Sequence, residues 1–159
     1  MTRGPAFHDG EPSGVGRVFV SHPGKRMSHR KAVVLVVEDS PLIRMGAVDL
    51  VVAAGFEALE ASDADEAIRI LEAPADVHLV FTDVGMPGAM DGIKLSHYIR
   101  NRWPQVKLIV ASGKTIVAES QLPVGARFYS KPYNDSTIVE AMMVMLGEQV
   151  AHAGDGAAA

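Results

Sequence analysis

The chain has 159 residues, 48% of them apolar, which suits one domain with a substantial core. A formal charge of −4 argues against bulk attraction to nucleic acid, and the lack of cysteine excludes disulfides and thiolate metal sites while fitting a reducing compartment. No apolar run approaches the roughly 18–20 residues of a membrane span, and Val18-Phe19-Val20 is too short for a signal-peptide core, so a cytoplasmic location is expected.

Residues 1–31 are rich in Gly, Pro, Ser and His. Six basic residues (Arg3, Arg17, Lys25, Arg26, Arg30, Lys31) face two acidic ones (Asp9, Glu11). With few apolar groups to offset ordering entropy, this segment reads as a disordered basic leader, and Met27 is an alternative start. The domain proper is expected over 32–147, with a flexible tail over 148–159.

Val33–Val37 is an unbroken β-branched and Leu run, the pattern of a strand covered on both faces. Ser40-Pro41 opens a helix that runs to about Ala54, where Gly55 ends it. Phe56–Ala61 is a short, more polar strand. Asp63 with Glu66 three residues on caps a helix over Ala64–Glu72, and Pro74 stops it. A strand spans Val77–Thr82. A helix starts near Gly92 and carries Ile93, Leu95, Tyr98 and Ile99 before Trp103-Pro104. Val106–Ala111 and Arg127–Ser130 are the remaining strands. The interval from Ser112 to Lys131 contains Pro123 and Gly125 and is short, so the helix between those strands shrinks to a turn or two around Val117–Gln121. Asn134-Asp135-Ser136 starts the last helix, with Ile138, Met142 and Met145 on one stripe and Gly147 at its end.

Alternating strands and helices imply a parallel α/β sheet with helices on both faces. Right-handed crossovers put every strand C-terminus on one edge, where ligands bind in such folds. Glu38 and Asp39 end the first strand, Asp83 the third, Ser112 the fourth and Lys131 the fifth. A carboxylate at the end of a buried strand is costly unless paired or bound to a cation. Carboxylates without Cys or His nearby suit a hard cation such as Mg²⁺, which accepts few protein ligands and keeps several waters. Glu38, Asp39 and Asp83 supply the oxygens, and the Gly85 carbonyl is placed to help. An Asp can attack phosphorus to form an acyl phosphate, with Lys131 and Ser112 contacting phosphoryl oxygens.

The segments Val33–Asp39, Phe81-Thr82-Asp83-Val84-Gly85-Met86-Pro87, Met90-Asp91-Gly92, Val110-Ala111-Ser112-Gly113 and Lys131-Pro132-Tyr133 together resemble the receiver domain of bacterial two-component response regulators. The resemblance covers about residues 32–147. It implies a doubly wound, five-stranded flavodoxin-like sheet of order 2-1-3-4-5. It implies Asp83 as phosphoacceptor, Glu38 and Asp39 as the Mg²⁺ pair, Ser112 as switch hydroxyl, Lys131 as the lysine of the site, and Phe128 as switch aromatic. It also implies a cis Lys131-Pro132 bond.

The function so implied is a phosphorylation-controlled switch that changes its protein-binding surface. The phosphodonor would be a sensor histidine kinase or a histidine phosphotransfer protein. A downstream protein target and, in the family, a homodimer complete the partners; nucleic acid and membrane are not expected. About a dozen small residues follow Gly147, so a stand-alone module is expected. A phosphate shuttle or sink in a phosphorelay is the alternative. An aspartyl-nucleophile phosphatase would need a second acid two residues after Asp83, where Gly85 stands. Catalysis is thus limited to the chain's own phosphorylation and dephosphorylation. Ser112-Gly113-Lys114-Thr115 lacks the earlier glycine of a P-loop, since Leu108 occupies that place.

Overall fold

The computed structural model describes residues 30–114 and 116–155, the stretch 148–155 in backbone only. Nearly all of the leader expected over 1–31, and residues 156–159 of the expected tail, lie outside the described residues. β1 (Val33–Val37) is followed by α1 (Pro41–Ala53), β2 (Glu57–Ala61), α2 (Ala64–Glu72), β3 (Val77–Asp83), α3 (Gly92–Arg102), β4 (Lys107–Ser112), a single 3₁₀ turn (Glu119–Gln121), β5 (Arg127–Ser130) and α4 (Asp135–Asp155). All pairings are parallel, and the strand order is β2-β1-β3-β4-β5.

Strand alternation divides the core. Val34, Val36, Leu79, Phe81, Ile109 and Ala111 face α1 and α4, whose Val51, Ile138 and Met142 are fully buried. Leu35, Val37, Val80 and Leu108 face α2 and α3, meeting Ala67, Leu71, Leu95 and Ile99. Neighbouring strand residues therefore serve opposite layers, as the period of two requires. Each fully buried Leu or Ile contributes about 1.5–3 kcal/mol relative to exposure. A smaller cluster of Val84, Val110, Val117 and Leu122, with Ile93 and Phe128, lies under the β4–β5 connection.

The ends of the elements follow local chemistry. Gly55 adopts φ 93°, and the N–H groups of Gly55 and Phe56 return to the Val52 and Val51 carbonyls, closing α1. Asp63 accepts from the Glu66 N–H at 2.8 Å, while the Glu66 carboxylate accepts from the N–H and hydroxyl of Ser62 at 2.9 and 2.7 Å. Asp91 caps α3 through the Lys94 N–H, and Asn134 caps α4 through the Ser136 N–H. Where the β1–β3 register shifts at Val33/Val34, His78 Nδ1 accepts the Val33 N–H at 3.0 Å and completes the ladder.

Several boundaries differ from expectation: β3 and β4 each end one residue later, at Asp83 and Ser112. β2 and β4 each start one residue later, at Glu57 and Lys107. Gly147 does not end the last helix, which continues to Asp155, inside the tail expected over 148–159. A glycine stops a helix when it turns left-handed, and Gly147 keeps a negative φ, so the Glu-Gln-Val-Ala sequence after it propagates the helix. The connection expected to be reduced is indeed one 3₁₀ turn. Gln121 Oε1 accepts the Ala118 N–H at 2.8 Å, and His97 Nε2 donates to the Gln121 carbonyl at 2.7 Å. No helix among the described residues is long and apolar enough to cross a membrane.

Candidate functional site

Strand register assembles the site. Val37 pairs with Thr82, so Glu38 emerges level with Asp83. Asp83 pairs with Ala111, and Ser112 with Ser130, so Lys131 emerges just beyond Ser112. The Lys131 N–H donates to the Ser112 carbonyl at 2.9 Å, extending the ladder by one bond. The Lys131-Pro132 peptide is cis, as the resemblance implied.

Glu38, Asp39 and Asp83 each present a carboxylate oxygen within 4.8 Å of the others. Lys131 Nζ lies 3.1 Å from Asp83 Oδ1 and 3.3 Å from Glu38 Oε2, bridging two acids that would otherwise repel. Glu38 is only 5% exposed. Burial, and then the Asp83 charge, push its carboxyl above the ordinary carboxylate range despite the opposing pull of Lys131. Burial alone would lower the Lys131 ammonium, but its hydrogen bond and charge attraction to Asp83, followed by Glu38, hold it above the ordinary lysine value. Burial likewise raises the Tyr133 phenol, whose ring packs against Phe81 with centroids 5.7 Å apart.

The donor set is all oxygen, with no imidazole or thiolate in the cluster. Three acids against one lysine leave excess negative charge. Both features fit a hard divalent cation, and the all-oxygen donor set disfavours zinc and copper. Gly85 belongs to the same rim, since a Cβ placed there would lie 3.8 Å from Asp83 Oδ2. Ser112 is buried at the end of β4. Phe128 is half-buried and sits apart from the carboxylates, against the cluster beneath the β4–β5 connection.

Three residues without an expected role support the carboxylates. Arg44 on α1 donates from Nη1 to the Glu38 carbonyl at 2.8 Å, reaching back six residues across the strand-to-helix turn. Gly92 lies so close to Asp83 that an added Cβ would overlap the Asp83 carbonyl. The position of Gly92 directly after the capping Asp91 was the available clue. Thr82 also donates its hydroxyl to the Asp83 carbonyl at 2.9 Å.

A family model described as the response regulator receiver domain matches residues 34–143. The chain is 33% identical over 119 residues to the chemotaxis protein CheY1 of Helicobacter pylori, covering 71% of this chain and 95% of that protein. It is 35% identical over 122 residues to the sensor kinase CckA of Brucella abortus, covering 74% of this chain. It spans only 13% of CckA and 23% of the response regulator FleR of Pseudomonas aeruginosa. Among solved structures, the receiver domain of the hybrid histidine kinase CckA aligns with TM-score 0.62 and 33% identity, covering 72% of this chain and 99% of that one. A response regulator receiver protein from Pseudomonas putida aligns with TM-score 0.63 and 29% identity, covering 70% and 95%.

Proposed function

The chain belongs to the response regulator receiver family, whose business is phosphorylation-dependent two-component signalling, and on that premise we propose that Asp83 is its phosphoacceptor. The observation that carries this reading is the position of the Lys131 ammonium, 3.1 Å from Asp83 Oδ1 and 3.3 Å from Glu38 Oε2. An Asp83 oxygen attacks phosphorus of a phosphohistidine on a sensor kinase or phosphotransfer protein. The P–N bond breaks, its electron pair returns to the imidazole, and an acyl phosphate forms. Lys131 then exchanges its carboxylate contact for a phosphoryl oxygen, a charge-assisted bond of comparable type.

Glu38, Asp39, Asp83 and the Gly85 carbonyl would hold Mg²⁺. Bound there, Mg²⁺ would neutralise charge on the phosphoryl oxygens. Ser112 donates its hydroxyl to the phosphoryl group, and Phe128, on the adjoining strand, responds by burying more of its ring. The surface around the 3₁₀ turn and β5 changes accordingly, and a protein partner reads it. Inverting such an equilibrium takes about 5 kcal/mol of preference between the two states. The chain acts as a regulator whose chemistry is confined to its own phosphoryl group. A domain that begins at residue 32 and includes the last helix to Asp155, with a basic leader over 1–31, is the proposed organisation.

The test is intact-mass measurement after incubation with acetyl phosphate. One phosphoryl adduct with Mg²⁺ and none with chelator is the expected result. Equal labelling in both conditions would remove the metal from the account.

A further inference from the structure

Glu38 and Asp39 are consecutive, yet both present a carboxylate oxygen to the same spot beside Asp83. Adjacent side chains of an extended strand point to opposite faces. The chain must therefore reorient between them as it leaves β1. The peptide that reorients carries the Glu38 carbonyl, and Glu38 is held through its backbone on both sides. The Glu38 N–H donates to the Ala61 carbonyl at 3.0 Å, and Arg44 Nη1 donates to the Glu38 carbonyl at 2.8 Å. Arg44 is anchored in turn. Its Nε lies 3.6 Å from Glu60 Oε1 on β2, its side chain is 18% exposed, and its own N–H donates to the Ser40 carbonyl in the first turn of α1.

Charge alone makes this an unfavourable place for arginine. A cation beside three carboxylates that already share Lys131 weakens their attraction for a further cation. The hydrogen-bond geometry acts in the opposite sense, because a loose Glu38–Asp39 peptide would let the two carboxylates diverge. We infer that Arg44 is a positioning residue that clamps this peptide and keeps both carboxylates convergent on one divalent ion, an effect larger than the repulsion it brings. The inference rests on reading the site as a Mg²⁺-binding phosphoacceptor centre and adds a residue to it. The two effects have opposite signs, so one measurement separates them.

The experiment is calorimetric titration of Mg²⁺ into the full chain, its Arg44→Met variant and its Arg44→Lys variant. Arg44→Met keeps length but lacks donor and charge. Outer partners of metal ligands are worth 10–100-fold in affinity, so Arg44→Met should weaken Mg²⁺ binding about tenfold. Arg44→Lys keeps a donor and the charge and should stay within about threefold of the parent. Labelling of Arg44→Met by acetyl phosphate should need more Mg²⁺ but reach the parent rate at saturation. Unchanged or tighter Mg²⁺ binding by Arg44→Met would overturn the inference alone. No Mg²⁺ binding by the parent chain would overturn the site reading and this inference with it. Should Arg44→Met fail to fold, the nitrogen-15 signal of the parent Arg44 Nε–H decides. It should exchange more slowly with the same Mg²⁺ midpoint as the heat signal, and indifference to Mg²⁺ would overturn the assignment.

Discussion

The α-carbon of Gly92 sits against the main-chain carbonyl of Asp83, and its N–H donates to the Val84 carbonyl at 2.9 Å. The first residue of α3 thus fixes the backbone that carries the Asp83 carboxylate. A methyl group at this position meets backbone on the other side, which cannot swing away as a flexible side chain would. Gly92→Ala should cost about 2–3 kcal/mol, the upper range for overpacking. It should also slow labelling of Asp83. Urea unfolding and the acetyl phosphate rate measure the two effects, and a stability loss below about 0.5 kcal/mol, the scale of an ordinary surface change, would contradict the contact.

Glu38 gives stability a pH dependence of unusual sign. Its carboxyl is raised by burial first and by Asp83 second, with Lys131 opposing. The folded state therefore holds this proton more tightly than the unfolded chain. Its contribution is fully present below the unfolded value of 4.5 and is lost as pH rises through the raised folded value. Without Mg²⁺, that part of the stability should fall over this window and be regained when Mg²⁺ is added. Glu38→Gln should flatten the dependence, raise metal-free stability at pH 7, and weaken Mg²⁺ binding. Urea midpoints at pH 5 and pH 7, with and without Mg²⁺, check all three.

Lys131 competes with any cation for Asp83 and Glu38. Lys131→Met should therefore bind Mg²⁺ several-fold more tightly, the opposite of the change expected for Arg44→Met. The same substitution leaves two acids unpaired and should cost about 1–2 kcal/mol in Mg²⁺-free buffer, less than for a fully buried pair because the lysine is 22% exposed. Labelling should persist at a reduced rate, with a blunted conformational response. Calorimetry and thermal melts separate these effects.

Ser112 and Phe128 sit on adjacent strands, with Val110 paired to Phe128 and Ser112 to Ser130. Ser112→Ala should slow labelling by about ten- to a hundredfold without abolishing it, since a hydrogen bond to a charged oxygen is worth about 1.5–3 kcal/mol. It should nevertheless abolish the change at Phe128, read by aromatic NMR signals before and after phosphorylation. A Phe128 response that survives in Ser112→Ala would remove the hydroxyl from the switch.

The sheet was legible because its three central strands, β1, β3 and β4, are short apolar runs ending in chemistry. Val33–Val37 and Val77–Thr82 each deliver acid at the same register, and parallel pairing does the rest. The contracted β4–β5 connection was legible from its length and from Pro123 and Gly125. Gly147 misled, because a glycine marks a helix end only when it takes up a left-handed backbone, as Gly55 does. Arg44 was invisible for a different reason. Its bond to the Glu38 carbonyl depends on how the chain turns from β1 into α1, and its contact with Glu60 on how α1 packs beside β2, neither of which hydrophobic patterning encodes. The His78 side chain that completes the β1–β3 ladder is hidden likewise, since it answers a register shift.

The most direct test of the account is to locate the phosphoryl group. The chain is labelled with acetyl phosphate and Mg²⁺, reduced with borohydride to convert an acyl phosphate into homoserine, and mapped by peptide mass. The account predicts a single modified residue at position 83 and no labelling of Asp83→Asn. Modification at another residue, or undiminished labelling of Asp83→Asn, would contradict it.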